Sequence, residues 1–88
     1  MHETKQWNIA VEIDEHDGRT RAVARLRTDT AELRGVGLAR LSPHDRDVPE
    51  IGDELAAARA LSELSHQLLD TAAEDIEQLT HQRARLNI

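Results

Sequence analysis

Residues 7–28 read WNIAVEIDEHDGRTRAVARLRT. Trp7, Ile9, Val11 and Ile13 alternate with Asn8, Ala10, Glu12 and Asp14, the period-two pattern of a half-buried strand. Asp17-Gly18 follows. That dipeptide is the strongest short hairpin signal, because a type I′ turn needs positive φ at both central residues. A two-residue loop at 17 and 18 fixes the register of the returning strand. Ile9 then faces Leu26, Val11 faces Ala24, Ile13 faces Ala22 and Trp7 faces Thr28. One face of this hairpin is almost wholly apolar. The other sets Asp14 against Arg21, Glu12 against Val23, Ala10 against Arg25 and Asn8 against Arg27. Turn register and hydrophobic alternation agree, as they must where one face is buried. The hairpin is expected over residues 6–28.

Outward from the hairpin, Thr28-Asp29-Thr30 reads as a turn, and a third strand is expected over about residues 32–41. Its facing has two readings. In one, Leu33, Gly35, Gly37, Ala39 and Leu41 point inward, and the small residues let a helix lie close to the sheet. In the other, Val36 and Leu38 point inward but take Arg34 and Arg40 with them. The first avoids burying charge and is preferred.

Residues 42–48 read as a loop, bounded by Pro43 and Pro49. A helical region is expected over about residues 49–82, starting at Pro49 or at Asp53 as N-cap, with Glu54 at the positive end of the dipole. Ala58, Leu61, Leu64, Leu68, Ala72, Ile76 and Leu79 recur at three- and four-residue steps and form one apolar stripe. Such a helix outruns the strands beneath it. Thr71-Ala72-Ala73-Glu74 has the form of a capping box, which allows a break near Asp70. Residues 83–88 are expected to fray. The whole is one domain over residues 1–88. The fold class expected is α+β: a three-stranded antiparallel sheet with β-β-β-α order, in two layers.

With 88 residues the core is thin, and about two-thirds of the unfolded surface is buried on folding. Trp7 is the sole aromatic, so Leu, Ile, Val and Ala must fill the interior. Dimerisation is a natural way to bury more. There is no cysteine, hence no disulfide, thiolate nucleophile or Cys-ligated zinc. No apolar h-region opens the chain and no apolar run reaches membrane-span length. A cytoplasmic protein without membrane contact is expected.

The net charge of -6 is unevenly spread. Residues 19–46 carry seven arginines against three acids, whereas residues 53–79 carry seven acids against Arg59 alone. Two electrostatically distinct faces follow.

Sites for chemistry are sparse. His2, His16, His44, His66 and His81 share no i, i+4 spacing, so no metal site is expected. Ser42, His44 and Asp45 fall in one loop, but nothing resembles a nucleophile elbow, and local turn hydrogen bonds account for them. Gly35-Val36-Gly37 lacks the third glycine and following helix of a dinucleotide fingerprint. No enzyme and no cofactor is expected.

The arginines are the exception. Arg19, Arg21, Arg25 and Arg27 point away from the core, and Arg34 and Arg40 extend the same face if the third strand lies beside the second. Arginine gives bidentate contacts to phosphate, so this face is a candidate for binding ribosomal or other structured RNA. No aromatic on it stacks on bases. Val23, Val36 and Leu38 sit among the arginines as a candidate homodimer patch. The alternative to RNA is therefore a homodimeric interaction module with no nucleic acid.

From Val48 to Leu61 the chain reads VPEIGDELAAARAL. With the hairpin and the Gly35-Val36-Gly37 strand, this run resembles a family of small actinobacterial proteins of unassigned activity, over nearly the whole chain. The resemblance implies a fold like the double-stranded-RNA-binding domain, with a three-stranded antiparallel sheet backed by helices. Some relatives are similar to ribosome hibernation factors, which implies a stress or dormancy role and a dimer. Two features depart from those patterns. Asp53 and Glu54 stand where a double-stranded-RNA-binding domain places phosphate-binding lysines. Asp17-Gly18 makes a tight turn where hibernation factors carry a helix. The binding chemistry of either family therefore does not transfer residue by residue.

Overall fold

A computed structural model of the chain describes residues 2–40, 48–81, 84 and 86. Strands β1 (Ile9–His16), β2 (Arg19–Arg27) and β3 (Glu32–Arg40) form an antiparallel sheet in the order β1-β2-β3, and one helix, α1 (Pro49–Thr80), packs on it. This is the α+β, two-layer architecture expected.

The hairpin forms in the predicted register, from Ile9 opposite Leu26 to His16 opposite Arg19. Asp17 and Gly18 take φ of 51° and 73°, the left-handed pair a type I′ turn requires. The ladder begins at Ile9, two residues after the alternation does.

Thr28 closes the second turn. Its backbone N–H donates to the Ala31 carbonyl at 2.8 Å, and its hydroxyl oxygen accepts from the N–H groups of Thr30 and Ala31 at 3.3 and 3.1 Å. Thr28→Ala removes the side-chain bonds. It is expected to lower unfolding free energy by about 1 kcal/mol in urea titration, with the m-value unchanged.

On β3, Gly35, Gly37 and Ala39 are buried and Leu33 is half-buried, while Arg34, Leu38 and Arg40 face out. The reading that keeps charge out of the core is the correct one. Leu41 and the loop residues 42–47, with Ser42, His44 and Asp45, lie outside the described residues.

The helix begins earlier than an Asp53 cap would set it. Val48 is the N-cap and Pro49 occupies the first turn, where its fixed φ is already helical and its missing N–H is not needed. The expected break near Asp70 is absent. The Thr71 hydroxyl donates to the Gln67 carbonyl at 2.9 Å, inside the helix, and the chain stays helical past it. α1 ends at His81, whose φ of 57° lets its N–H reach the Glu77 carbonyl at 2.7 Å. Of the tail expected to fray, Ala84 is tied back by its N–H to the Glu77 carboxylate at 2.9 Å. Residues 82, 83, 85, 87 and 88 lie outside the described set. Thirty-two helical residues span about 48 Å, against about 30 Å for a nine-residue strand, so the C-terminal turns of α1 overhang the sheet.

The core joins Ala22, Ala24 and Leu26 of β2, Ala39 of β3, and Ala56, Ala60 and Leu64 of α1, flanked by Leu33 and Leu68. The helix sits so close to β3 that a Cβ on Gly35 would overlap the Ala60 carbonyl oxygen. One on Gly37 would overlap the Ala56 carbonyl oxygen. This approach draws α1 toward β3 and away from β1. The expected half-burial of β1 is thereby overturned: Ile9, Val11 and Ile13 stay 44%, 36% and 40% exposed.

Candidate nucleic-acid interface

The outer face of the sheet, opposite α1, collects the side chains that the alternation sends away from the core. Across the three strands it reads in rows. His16, Arg19 and Arg40 form the first, and Asp14, Arg21 and Leu38 the second. Glu12, Val23 and Val36 form the third, Ala10, Arg25 and Arg34 the fourth. Arg27 and Glu32 close the face at its far end. All six arginines singled out in the sequence, Arg19, Arg21, Arg25, Arg27, Arg34 and Arg40, are exposed there on two adjacent strands.

The pairing within this face is uneven. Arg25 meets Glu12 at 3.6 Å and Arg27 meets Glu32 at 3.3 Å, both in solvent. No carboxylate among the described residues comes within 4.0 Å of Arg19, Arg21, Arg34 or Arg40. Arg19 lies directly across from Arg40, and Arg25 directly across from Arg34. Like charges directly opposed on a sheet destabilise it. The chain thus carries two unfavourable cross-strand pairs on one open surface.

Of the apolar patch expected here, Val23 is 4% exposed and Leu38 62%. Val36 is half-buried between them in exposure. Val23 is flanked along its own strand by the exposed Arg21 and Arg25.

Two residues that the sequence reading passed over shape the edge of this face. The Arg59 guanidinium donates to the Leu38 carbonyl at 2.6 Å, and the Glu63 carboxylate accepts from the Val36 N–H at 2.8 Å. Both contacts fall on outward-pointing groups of β3, so α1 blunts that edge against pairing with another strand. Their i, i+4 spacing on the flank of the small-residue stripe was the available signal.

Elsewhere the chemistry is thin. A cleft of about 750 Å³ lies between the hairpin turn and the start of α1, lined by His16, Arg19, Thr20, Arg40 and Leu55 among others. Thr20 is the one hydroxyl among its lining residues and is 5% exposed, packed against Gly52. Among the described residues no three His, Asp or Glu side chains are grouped to hold a metal ion. No helix among them is long and apolar enough to cross a membrane. The first turns of α1 carry Glu50, Asp53 and Glu54, which repel phosphate and make the start of the helix a poor seat for an anion.

Comparison with known proteins agrees with this architecture. The family description "Rv2632c-like" matches residues 5–85. The chain is 59% identical over 85 residues to an uncharacterized protein of Mycobacterium bovis, Mb1767, covering 97% of this chain and 90% of that one. It is 56% identical over 81 residues to the uncharacterized protein Rv2632c of Mycobacterium tuberculosis, covering 92% and 87% respectively. The crystal structure of Rv2632c superposes with a TM-score of 0.85, covering 92% of this chain and 96% of that chain. With family match, identity and superposition all spanning nearly its full length, the chain belongs to the Rv2632c-like family.

Proposed function

We propose that this protein is a non-enzymatic RNA-binding protein that docks on ribosomal or other structured RNA through the outer arginine face of its sheet. The observation that carries this reading is the pair of directly opposed arginines in the β2–β3 register, Arg19 across from Arg40 and Arg25 across from Arg34. A bound phosphate backbone would relieve both repulsions, and guanidinium forks suit phosphate oxygens. The β-β-β-α order is compatible with a fold like the double-stranded-RNA-binding domain, but the acidic helix start gives the RNA a different seat. A stress or dormancy role rests on the resemblance of some relatives to ribosome hibernation factors. The face has no stacking aromatic, so recognition is by shape and charge and not by base sequence.

Co-sedimentation with ribosomes, and titration of a structured RNA, test this across about 50 to 200 mM salt. Four phosphate contacts predict log K falling with log salt at a slope of about -3 to -4. Absence of binding at the low-salt end would reject the RNA reading and leave a module that contacts protein alone.

A further inference from the structure

α1 lies off-centre on the sheet. It rests on β3, where the Ala56 and Ala60 carbonyls sit on Gly37 and Gly35, and Arg59 and Glu63 reach the outer edge of that strand. At about 100° per residue, Asp53, Ala57, Leu61, Leu64 and Leu68 share the opposite flank of the helix, toward β1. Leu64 is buried and Leu68 packs against the core, but Leu61 is 40% exposed. Beside this flank, Ile9, Val11 and Ile13 face the helix side of the sheet, because they pair with Leu26, Ala24 and Ala22 of the core. α1 leaves all three open, and Trp7, just before the strand, is 58% exposed. An apolar groove thus runs along β1 with α1 as its one wall. β1 and β3 are two strand spacings apart, about 10 Å, and packed helices lie about 8 to 10 Å apart. The uncovered floor has the width of one more helix. From Trp7 to Ile13 it runs about 20 Å, the length of about 13 helical residues. An extended segment added to the β1 edge would lie in the plane of the sheet and leave Leu61 uncovered.

Charge selects the kind of helix. Glu15 follows Ile13 on the same side of β1, and Glu50, Asp53 and Glu54 stand on the neighbouring first turns of α1. The Asp53 Oδ1 is buried with no hydrogen-bond donor among the described residues, so this end of the groove holds an acceptor still without its donor. Arg59, the sole Lys or Arg of α1, is engaged with the Leu38 carbonyl on the far flank. Lys5 lies beyond Trp7, at the other end of the floor.

We propose that this groove takes a basic amphipathic helix of another protein. The apolar stripe of that helix lies on Trp7, Ile9, Val11 and Ile13 and against Leu61, and its Lys and Arg side chains meet the acidic end. A second copy of α1 does not suit the groove. Residues 53–79 carry seven acids against Arg59 alone, so acid would face acid. The chain's own tail does not suit it either. Ala84 is tied to the Glu77 carboxylate, and the four residues beyond it span at most about 14 Å. The groove is on the helix side of the sheet and the arginine face on the other. The inference therefore stands apart from the RNA reading, and both surfaces can be occupied at once.

The probe is a synthetic helical peptide of about 18 residues, with leucines at i, i+3, i+4 and i+7 spacing and lysines elsewhere. It is titrated into the full chain and followed by the emission of Trp7, the sole tryptophan. The expected result is a blue shift that saturates at one peptide per chain. Val11→Lys and Leu61→Lys, both at exposed positions, should each weaken binding by about tenfold or more with the circular dichroism spectrum unchanged. Leu38→Lys makes the same kind of change on the outer face, at a position 62% exposed, and should leave binding as it was. The same peptide with glutamates in place of its lysines should not bind. No blue shift at about 1 mM peptide would overturn the proposal. Equal binding of the glutamate peptide, or equal losses in all three lysine variants, would overturn it too, since either leaves no role for the groove. A free chain that sediments as two copies with Trp7 already shifted to the blue would give the groove to a second copy instead.

Discussion

Gly37→Ala should lower the melting temperature by about 12 to 24 °C. A methyl at this position would enter the space of the Ala56 carbonyl oxygen and the Ala60 backbone nitrogen, and would lie 2.9 Å from the Arg59 carbonyl carbon. These are main-chain atoms of α1. No rotamer change moves them, so the helix must lift as a body and surrender the contacts of Ala56, Ala60 and Leu64 with the sheet. Overpacking of this kind costs about 3 kcal/mol or more. In a domain of this size each kcal/mol is worth about 4 to 8 °C. Gly52 is the internal control. A Cβ there meets only the Thr20 side chain, its hydroxyl at 2.7 Å and its Cβ at 3.6 Å, and no main-chain atom of another element. Alanine also gains about 1 kcal/mol of helix propensity over glycine. Gly52→Ala should therefore be near neutral or mildly stabilising in the same thermal scan. Equal losses for the two variants would refute the account of helix docking on the glycine pair.

The double variant Arg34→Glu, Arg40→Glu should move stability and RNA affinity in opposite directions. Each change turns a like-charge pair into an attractive one, Arg25 with residue 34 and Arg19 with residue 40. Cross-strand opposite charges contribute about 0.2 to 1 kcal/mol each, so the melting temperature should rise by a few degrees. On the proposed RNA-binding reading, two charge-assisted contacts to phosphate are lost at the same time. At about 1.5 kcal/mol each that is about 100-fold in affinity, with the salt slope shallower by about 2. A variant that binds RNA as tightly as the parent would remove the paired arginines from the interface. The opposite signs separate this outcome from simple unfolding, which would lower both quantities.

The hairpin was fully legible in the sequence because two independent constraints coincide there. Asp17-Gly18 sets the register, and alternation sets the facing. The facing of β3 was legible through the cost of turning Arg34 and Arg40 inward, and the arginine face followed from both strands. The lateral position of α1 was not legible. An amphipathic pattern says which stripe of a helix is buried, not which strands lie under it. The two glycines of β3 decide that, since the helix moves to where backbone can approach backbone. Edge capping by Arg59 and Glu63 depends on the same displacement and was hidden for the same reason. The Thr71 run was misleading because a threonine hydroxyl serves an internal carbonyl as readily as a cap.

Of the residues buried in the main core, Ala22, Ala24, Ala39, Ala56 and Ala60 are alanines, and the backbones of Ala56 and Ala60 lie directly on Gly37 and Gly35. Alanine and glycine have no side-chain rotamers to freeze. Folding this interior therefore removes backbone freedom but almost no side-chain entropy, apart from Leu26 and Leu64 and their partly buried neighbours. A layer that gains little from large hydrophobic groups is also one that loses little in ordering them. This is how so thin a core, with no aromatic in it, can hold a 32-residue helix against a three-stranded sheet.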